Sequence, residues 1–437
     1  MQRAVVLGGS FSGLLIARVL SDFAEDVVVL EPNLLTAEGN RPGAPHRRQL
    51  HALLAMGQLQ LERWFPGIVE EMANDGAHLG RGSAVQFYVD GRRRPAMNDL
   101  QMIGATRPFI ENSVLRRTRA VSNIRFVTGR AQGLLLHHDR VRGVRYTAGT
   151  ETTATEIEAD FVVDAMGRSS RLTTWLTQHG WPAAPVDRMR IDLGYATATF
   201  RRGDELPATV IVHSAPGPAS NYLASACEPG ALAAVEGNRW SVVVAGYHDY
   251  RPTADPDQFR ARLRRCVAPL QQVANHCALE GEIDTFHFRE SRRLRFTGLE
   301  RFPAGLAVSG DAMASVNPIY GQGLTLATLQ ASCLSAHLRS GASPREPAWG
   351  YFRRTDRVVD AAWSLSTTAD LAQPHVTGPY PRAYNVIRWA GDRITEASVK
   401  DPVINRAFMN VLHMRQHPRT LTRPRVLLRT ARVLLDR

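Results

Sequence analysis

Two glycine-bearing corners, about three hundred positions apart, hold the residue types in this sequence that could do chemistry. The second corner is the more distinctive. Gly305 to Val308 is a short apolar run that reads as a buried strand. Gly310 and Asp311 follow it directly. A loop then carries Asn317, Pro318, Tyr320, Gly321 and Gly323, and an apolar segment from Leu324 to Leu338 ends at Arg339 and Gly341, as a helix would. Asp311 could accept hydrogen bonds from sugar-type hydroxyls. Glycines at 321 and 323 let backbone approach a flat ligand closely. The unbonded N–H groups of a helix start favour negative charge. A polyol joined to an electron-rich ring suits such a site, although a bare strand–turn–helix connection has the same grammar.

The first corner opens the chain. Ala4 to Gly8 reads as a buried strand, Gly8-x-Ser10-x-x-Gly13 as a turn, Leu14 to Leu20 as a helix and Val27 to Leu30 as a second strand that ends at Glu31. This is a βαβ dinucleotide fingerprint: Gly8 for the tight turn, the helix start for a pyrophosphate, Glu31 for a ribose. It departs from the pattern at its middle position, where serine replaces glycine. The loop that follows carries Arg41, Pro42, Gly43, Pro45, His46, Arg47, Arg48 and His51. Its arginines, Arg48 among them, could contact phosphate or simply be solvated. Its Pro and Gly content argues against helix before Gln49, and a helical stretch is expected from His51 to about Trp64.

Composition bounds the reading. The chain has 437 residues, 44% hydrophobic and 22% charged, enough for two or three domains with a sizeable core. No run of about 18 apolar residues is present, so no transmembrane helix is expected. A strand beginning almost at Met1 leaves no room for a signal peptide. Four cysteines without CxxC or metal-ligand spacing fit reduced thiols in a cytoplasmic protein with no structural metal. Net charge is +12, carried almost wholly by arginine, since Lys400 is the single lysine. No basic motif interleaved with aromatics marks a nucleic-acid module. A positive surface could still steer an acidic partner or a substrate carrier.

The expected layout is an α/β chain: a Rossmann-type domain in residues 1–186, an inserted antiparallel sheet in 187–300, a return to the first domain in 301–341, and a helical region in 342–437. Val85 to Tyr88 with the Asp90-Gly91 turn suggests a hairpin, and Thr106 precedes a helix through about Arg119. Phe161 to Asp164 is another strand, running into Gly167. Strands are also expected at Ile124–Val127, Gly133–Leu136, Val141–Tyr146, Ile191–Phe200, Thr209–His213, Leu223–Ala226, Trp240–Tyr247 and Phe286–Phe296, and a helix from Asp255 to Ala268. The tail from Leu421 to Arg437 is a basic amphipathic stretch. Docking on the body is the favoured reading, with a membrane surface or an acidic carrier as alternatives.

Taken in order, Gly8-x-Ser10-x-x-Gly13, Glu31, the Asp160–Ser170 segment and Gly310-Asp311…Pro318-x-x-Gly321-x-Gly323 resemble the class A flavin monooxygenases, which have the para-hydroxybenzoate hydroxylase fold. Asp164-Ala-Met-Gly-Arg-Ser-Ser, the Asn317–Gly323 loop and Gly43-x-Pro45…His51 look most similar to squalene-epoxidase-like enzymes of polyketide pathways, such as the polyether epoxidases. The resemblance implies an extended FAD. Gly8, Ser10, Gly13 and Glu31 would hold its ADP half, with Arg48, Arg107 and Asp164 also at the cofactor. Gly310 and Asp311 would hold the ribityl chain, and Pro318, Gly321, Gly323 and Leu324 would face the isoalloxazine. It implies NAD(P)H as a transient reductant, then oxygen addition at the flavin C4a carbon and transfer of one oxygen atom to a small hydrophobic substrate, free or held on a carrier protein. Two positions depart from it. Met166 stands where aromatic hydroxylases carry an acid, and Thr325 where many members have asparagine. The first keeps open a same-fold flavoprotein whose FAD is structural, catalysing cyclisation or rearrangement; a flavin-dependent reductase is a further alternative. A flavin-dependent halogenase is disfavoured because Lys400 lies far along the chain. Polar candidates for the substrate face are His51, Tyr195, His213, Tyr247 and His287.

Overall fold

The computed structural model describes residues 1–33, 45–149, 153–216 and 227–435. The expected strand at Leu223–Ala226 and the residues Arg41, Pro42 and Gly43 lie outside these. The architecture is mixed α/β, with a parallel sheet, a large antiparallel sheet and a helical C-terminal region. The parallel sheet has five strands in the order Leu306–Val308, Phe161–Asp164, Arg3–Leu7, Asp26–Glu31, Ile124–Thr128. Its central strands are unbroken Val, Leu and Ala runs because both faces are covered; Val5, Val6, Val28 and Val29 are fully buried. The strand order does the positioning. Pairing Asp164 with both Leu7 and Val308 sets the two glycine corners side by side although they are remote in sequence.

The second sheet has eight strands and is antiparallel apart from one pairing. Its long strands Val186–Arg201 and Leu279–Leu294 pair along most of their length, and Arg239–Tyr247, Gly230–Val235 and Ile211–Ala215 follow. The Val85–Val89 strand joins it in parallel beside Ile211–Ala215, and Ala314–Ser315 closes the other edge. Two helices, Pro256–Leu263 and Ala268–His276, cover one face through Phe259, Leu263 and Leu270. The helix expected over 255–268 therefore stops at Leu263, and a second begins at Ala268, where the first was expected to end. Pro269 lies in the first turn of the second, where its missing N–H costs nothing; within a continuous helix it would break the ladder. Gly230–Val235 went unread because Gly-Ala-Leu-Ala-Ala-Val has no aromatic residue and only one β-branched residue, Val235, to signal a strand.

The His51 region also differs from expectation. Pro45–Arg48 forms a 3-10 turn, and the helix begins only at Ala55. Between them the backbone is held by other partners. Leu50 N donates to Thr197 Oγ1 at 3.2 Å and Leu54 N to Thr325 Oγ1 at 3.1 Å. Thr325, one of the two departures from the family pattern, thus fastens this segment to the helix Gly323–Arg339.

After Gly341 come the helices Trp349–Asp370, Tyr384–Lys400, Pro402–Leu412 and Pro424–Leu435. Phe352 joins the first of these to the body by stacking on Phe296 with centroids 4.8 Å apart. The last docks one face on its neighbours. Arg429 grips Asp401 with two nitrogens, and Val433 and Leu434 pack on Ile394, Ala397 and Ile404. Among the described residues no helix is long and apolar enough to cross a membrane, and no group of His, Cys, Asp and Glu could hold a metal.

Candidate functional site

A cavity of about 950 Å³ runs from the parallel sheet to the inner face of the eight-stranded sheet. Gly8, Ser10, Glu31, Arg107, Gly310, Asp311, Pro318, Gly321, Gly323, Leu324, His51, Tyr195 and His213 all line it.

At the first corner the backbone is drawn tight. Gly8 has φ +107°, and a Cβ there would sit 2.7 Å from the Ala165 carbonyl oxygen. Gly13 does not line the cavity; it lets the helix Phe11–Leu20 press against Gly8. Glu31 accepts from Gly9 N at 2.8 Å and from Asn33 N and Nδ2 at 3.1 Å each. A carboxylate with about four acceptor positions keeps capacity for a ligand hydroxyl. Ser10, at the middle-glycine position, donates to Glu111 Oε1 at 2.9 Å.

Glu111 organises the cavity's central charges. It is buried and paired with Arg47 Nε at 2.8 Å and Arg107 Nε at 3.0 Å. Burial alone would raise its carboxyl, but Arg107 and Arg47 outweigh that and hold it below the ordinary value. Two arginines on one carboxylate leave a net positive charge facing the cavity. Arg107 Nη1 also donates to His51 Nε2 at 3.0 Å, and His51 Nδ1 donates to the Gln49 carbonyl at 2.7 Å. Both ring nitrogens are thereby committed and the imidazole is neutral. Burial, reinforced by Arg107, holds its pKa well below the usual range. His51 is thus a strut for Arg107, not a free base.

At the second corner Gly310 N and Ser309 Oγ donate to Gln330 Oε1. The Asp311 carboxylate lines the cavity and makes no hydrogen bond among the described residues. Burial raises its pKa against the pull of Arg107, Arg168 and Arg292. Gly323 opens its helix at the cavity wall, and a Cβ on it would meet no protein atom within 4 Å. The first N–H groups of that helix have no backbone acceptor among the described residues. An acceptor-only carboxylate, a positive pair and an open helix start fit the polyol, pyrophosphate and ring of an extended FAD.

Several expected site residues sit elsewhere. Asp164 is fully buried behind the wall, where its carboxylate accepts from Met166 N at 3.0 Å and from Ser170 Oγ, and burial lifts it to about 6. Arg48 points outward to Asp284 at 3.2 Å, while its neighbour Arg47 faces in. Tyr247 lies behind the Asn317–Gly321 loop, where its hydroxyl and Asn317 Nδ2 both donate to Asp370 Oδ1, at 3.2 and 2.6 Å. His287 pairs with Asp192 at 2.5 Å away from the cavity. Lys400 does not line it either.

The far end of the cavity is built by the eight-stranded sheet and differs in character. Ala231, Ala233, Val243 and Ala245 form its floor. Phe87 and His213 flank this floor on one side, Tyr195 and Phe286 on the other. No charged side chain of this sheet lines the cavity, and burial holds His213 neutral, down to about 4. Ser214 Oγ, also in the wall, has no hydrogen-bond partner among the described residues. Ser214 belongs to no motif, and Arg47 and Arg168 lie within the basic loop and the Asp164–Ser170 segment without having been singled out as site residues. The one signal that could have found Arg168 was its place just after Gly167 in the strand–turn of the second family segment.

No family model matches the chain. Protein Rv3254 of Mycobacterium tuberculosis (strain ATCC 25618 / H37Rv) is 32% identical over 424 residues, covering 93% of this chain and 88% of that protein. Among solved structures, the flavin-dependent brominase Bmp2 matches with a TM-score of 0.66 at 16% identity, over 94% of this chain and 92% of its own. The p-nitrophenol 4-monooxygenase PnpA of Pseudomonas putida DLL-E4 gives 0.65 at 16% identity, over 94% and 99%. PqsL, a probable FAD-dependent monooxygenase of Pseudomonas aeruginosa, gives 0.63 at 18%, over 85% and 95%. The fold is that of the FAD-dependent monooxygenases. Within it, the chain belongs to the family of Protein Rv3254.

Proposed function

We propose that the protein is an FAD-dependent monooxygenase that epoxidises or hydroxylates a small hydrophobic substrate of polyketide type. The observation that carries this is the single cavity joining Glu31, the Arg47–Glu111–Arg107 cluster, Asp311 and the start of the Gly323–Arg339 helix to an uncharged, largely apolar lobe. When bound, FAD reduced by NAD(P)H supplies the oxygen-activating chemistry. The chain supplies placement. Glu31 accepts from the ribose, Arg47 and Arg107 offset the pyrophosphate charge, and Asp311 accepts from the ribityl hydroxyls. The N–H groups at the helix start near Gly323 and Leu324 favour negative charge on the ring. The lobe excludes water, and Tyr195, His213 and Ser214 offer the substrate hydrogen bonds.

Incubation of the purified protein with candidate substrates, NADPH and labelled dioxygen tests the reaction. One labelled oxygen atom in the product is the expected result. A second reading, FAD as a structural cofactor in a non-redox rearrangement, is favoured by Met166 in the cavity wall and by the turning of Asp164 away from it. Bleaching of the bound flavin by NADPH in the presence of substrate separates the two. The halogenase reading remains disfavoured, with the sole lysine off the cavity.

A further inference from the structure

We propose that the outer face of the helix Pro424–Leu435 seats the protein on an anionic lipid bilayer, a role independent of the cofactor reading. This helix has two apolar stripes. Val433 and Leu434 on the inner one pack against the body. The outer one, Leu427, Leu428, Ala431 and Leu435, is left in solvent, with Leu428 72% and Leu435 80% exposed. Their spacing of three to four residues aligns them along one side. Arg423, Arg425 and Arg432 are exposed on the same segment. The neighbouring helix Tyr384–Lys400 adds exposed Val386 and Ile387, and Trp389 at 65%.

The charge is equally lopsided. From Pro381 to Leu435 the sequence holds eleven Lys and Arg against three Asp and Glu, a surplus of eight out of a net +12 for the whole chain. Each of the three acids is already paired within the region: Asp392 with Arg388, Glu396 with Arg393, Asp401 with Arg429. A helix of twelve residues is about 18 Å long, too short to span a bilayer, so it would lie in the interface plane. There its leucines enter the acyl boundary and its arginines meet headgroup phosphates; an exposed tryptophan suits the same depth. Leucines standing out in solvent beside a surplus of arginine favour a bilayer over an acidic protein partner, which would have to supply its own apolar cleft.

Flotation of the full chain with vesicles of equal parts phosphatidylcholine and phosphatidylglycerol tests this, against phosphatidylcholine alone. We expect flotation with the anionic vesicles only, lost at about 0.5 M salt as charges are screened. Leu428→Asp and, separately, Arg425→Glu should each weaken it about tenfold with circular dichroism unchanged. No flotation with anionic vesicles, or flotation undiminished in Leu428→Asp, overturns the proposal. So does retention on immobilised polyglutamate without flotation, which would mark an acidic protein surface instead.

Discussion

Gly13 lies so close beneath Gly8 that a Cβ on Gly13 would stand 1.8 Å from the Gly8 carbonyl oxygen. Neither partner can yield, because both belong to the backbone of the first βα turn. Gly13→Ala should therefore cost on the order of 3 kcal/mol or leave the protein insoluble. Ser10→Gly, three residues earlier, removes the hydrogen bond to Glu111 and a longer one from Arg47 and should cost about 1 kcal/mol. Urea unfolding of the two variants measures the contrast; equal costs would contradict it.

Asp311 gives up stability for a ligand. Its carboxylate is half-buried in the cavity wall with no donor among the described residues, and the loss of water around it raises its pKa. Asp311→Ala should leave the FAD-free protein as stable as the parent or more so, by up to about 1 kcal/mol, while weakening FAD binding about tenfold or more. Thermal unfolding without FAD and a fluorescence titration with it report the two effects separately.

Arg107 holds Glu111 and His51 with different nitrogens of one guanidinium. A lysine keeps the charge but cannot make both contacts. FAD dissociation constants should rise about tenfold in Arg107→Lys and about a hundredfold in Arg107→Ala, losses of roughly 1.4 and 2.8 kcal/mol. Full recovery of affinity in the lysine variant would show that charge alone matters.

Asp370 should make stability depend on pH. Burial lifts it to about 7, against an ordinary 3.8, even though Asn317 and Tyr247 donate to it. Tyr320 also faces it, and burial pushes that hydroxyl up, so it does not titrate below it. Between about pH 4 and 7 the folded state therefore holds a proton that the unfolded chain has released, and the group's contribution to stability is lost as pH rises through that window. Asp370→Asn removes the titration. Its stability relative to the parent should improve from pH 5 to pH 8 in urea unfolding, and a difference that does not change with pH would refute this.

What could be read in advance follows from how local the physics was. The Arg3–Leu7 strand, its turn and Glu31 are fixed by hydrophobic runs and glycine spacing, and so is the Leu306–Val308 strand with Asp311; all were visible as pattern. Which of two adjacent arginines faces inward was not. The 3-10 turn at Pro45–Arg48 decides in favour of Arg47, and the segment that follows it is held by contacts to Thr197 and Thr325 far along the chain. Tyr247 was a plausible substrate contact by type, yet its place is set by Asp370, more than a hundred residues later. The alanine floor of the far lobe gave no signal because small residues matter there for the space they leave.

The most direct test of the account is a visible spectrum of the purified protein, taken as isolated and again after incubation with FAD and removal of the excess. The account expects a yellow protein carrying one FAD per chain, with binding weakened in Asp311→Ala and Arg107→Ala. A colourless protein that takes up no FAD would contradict it.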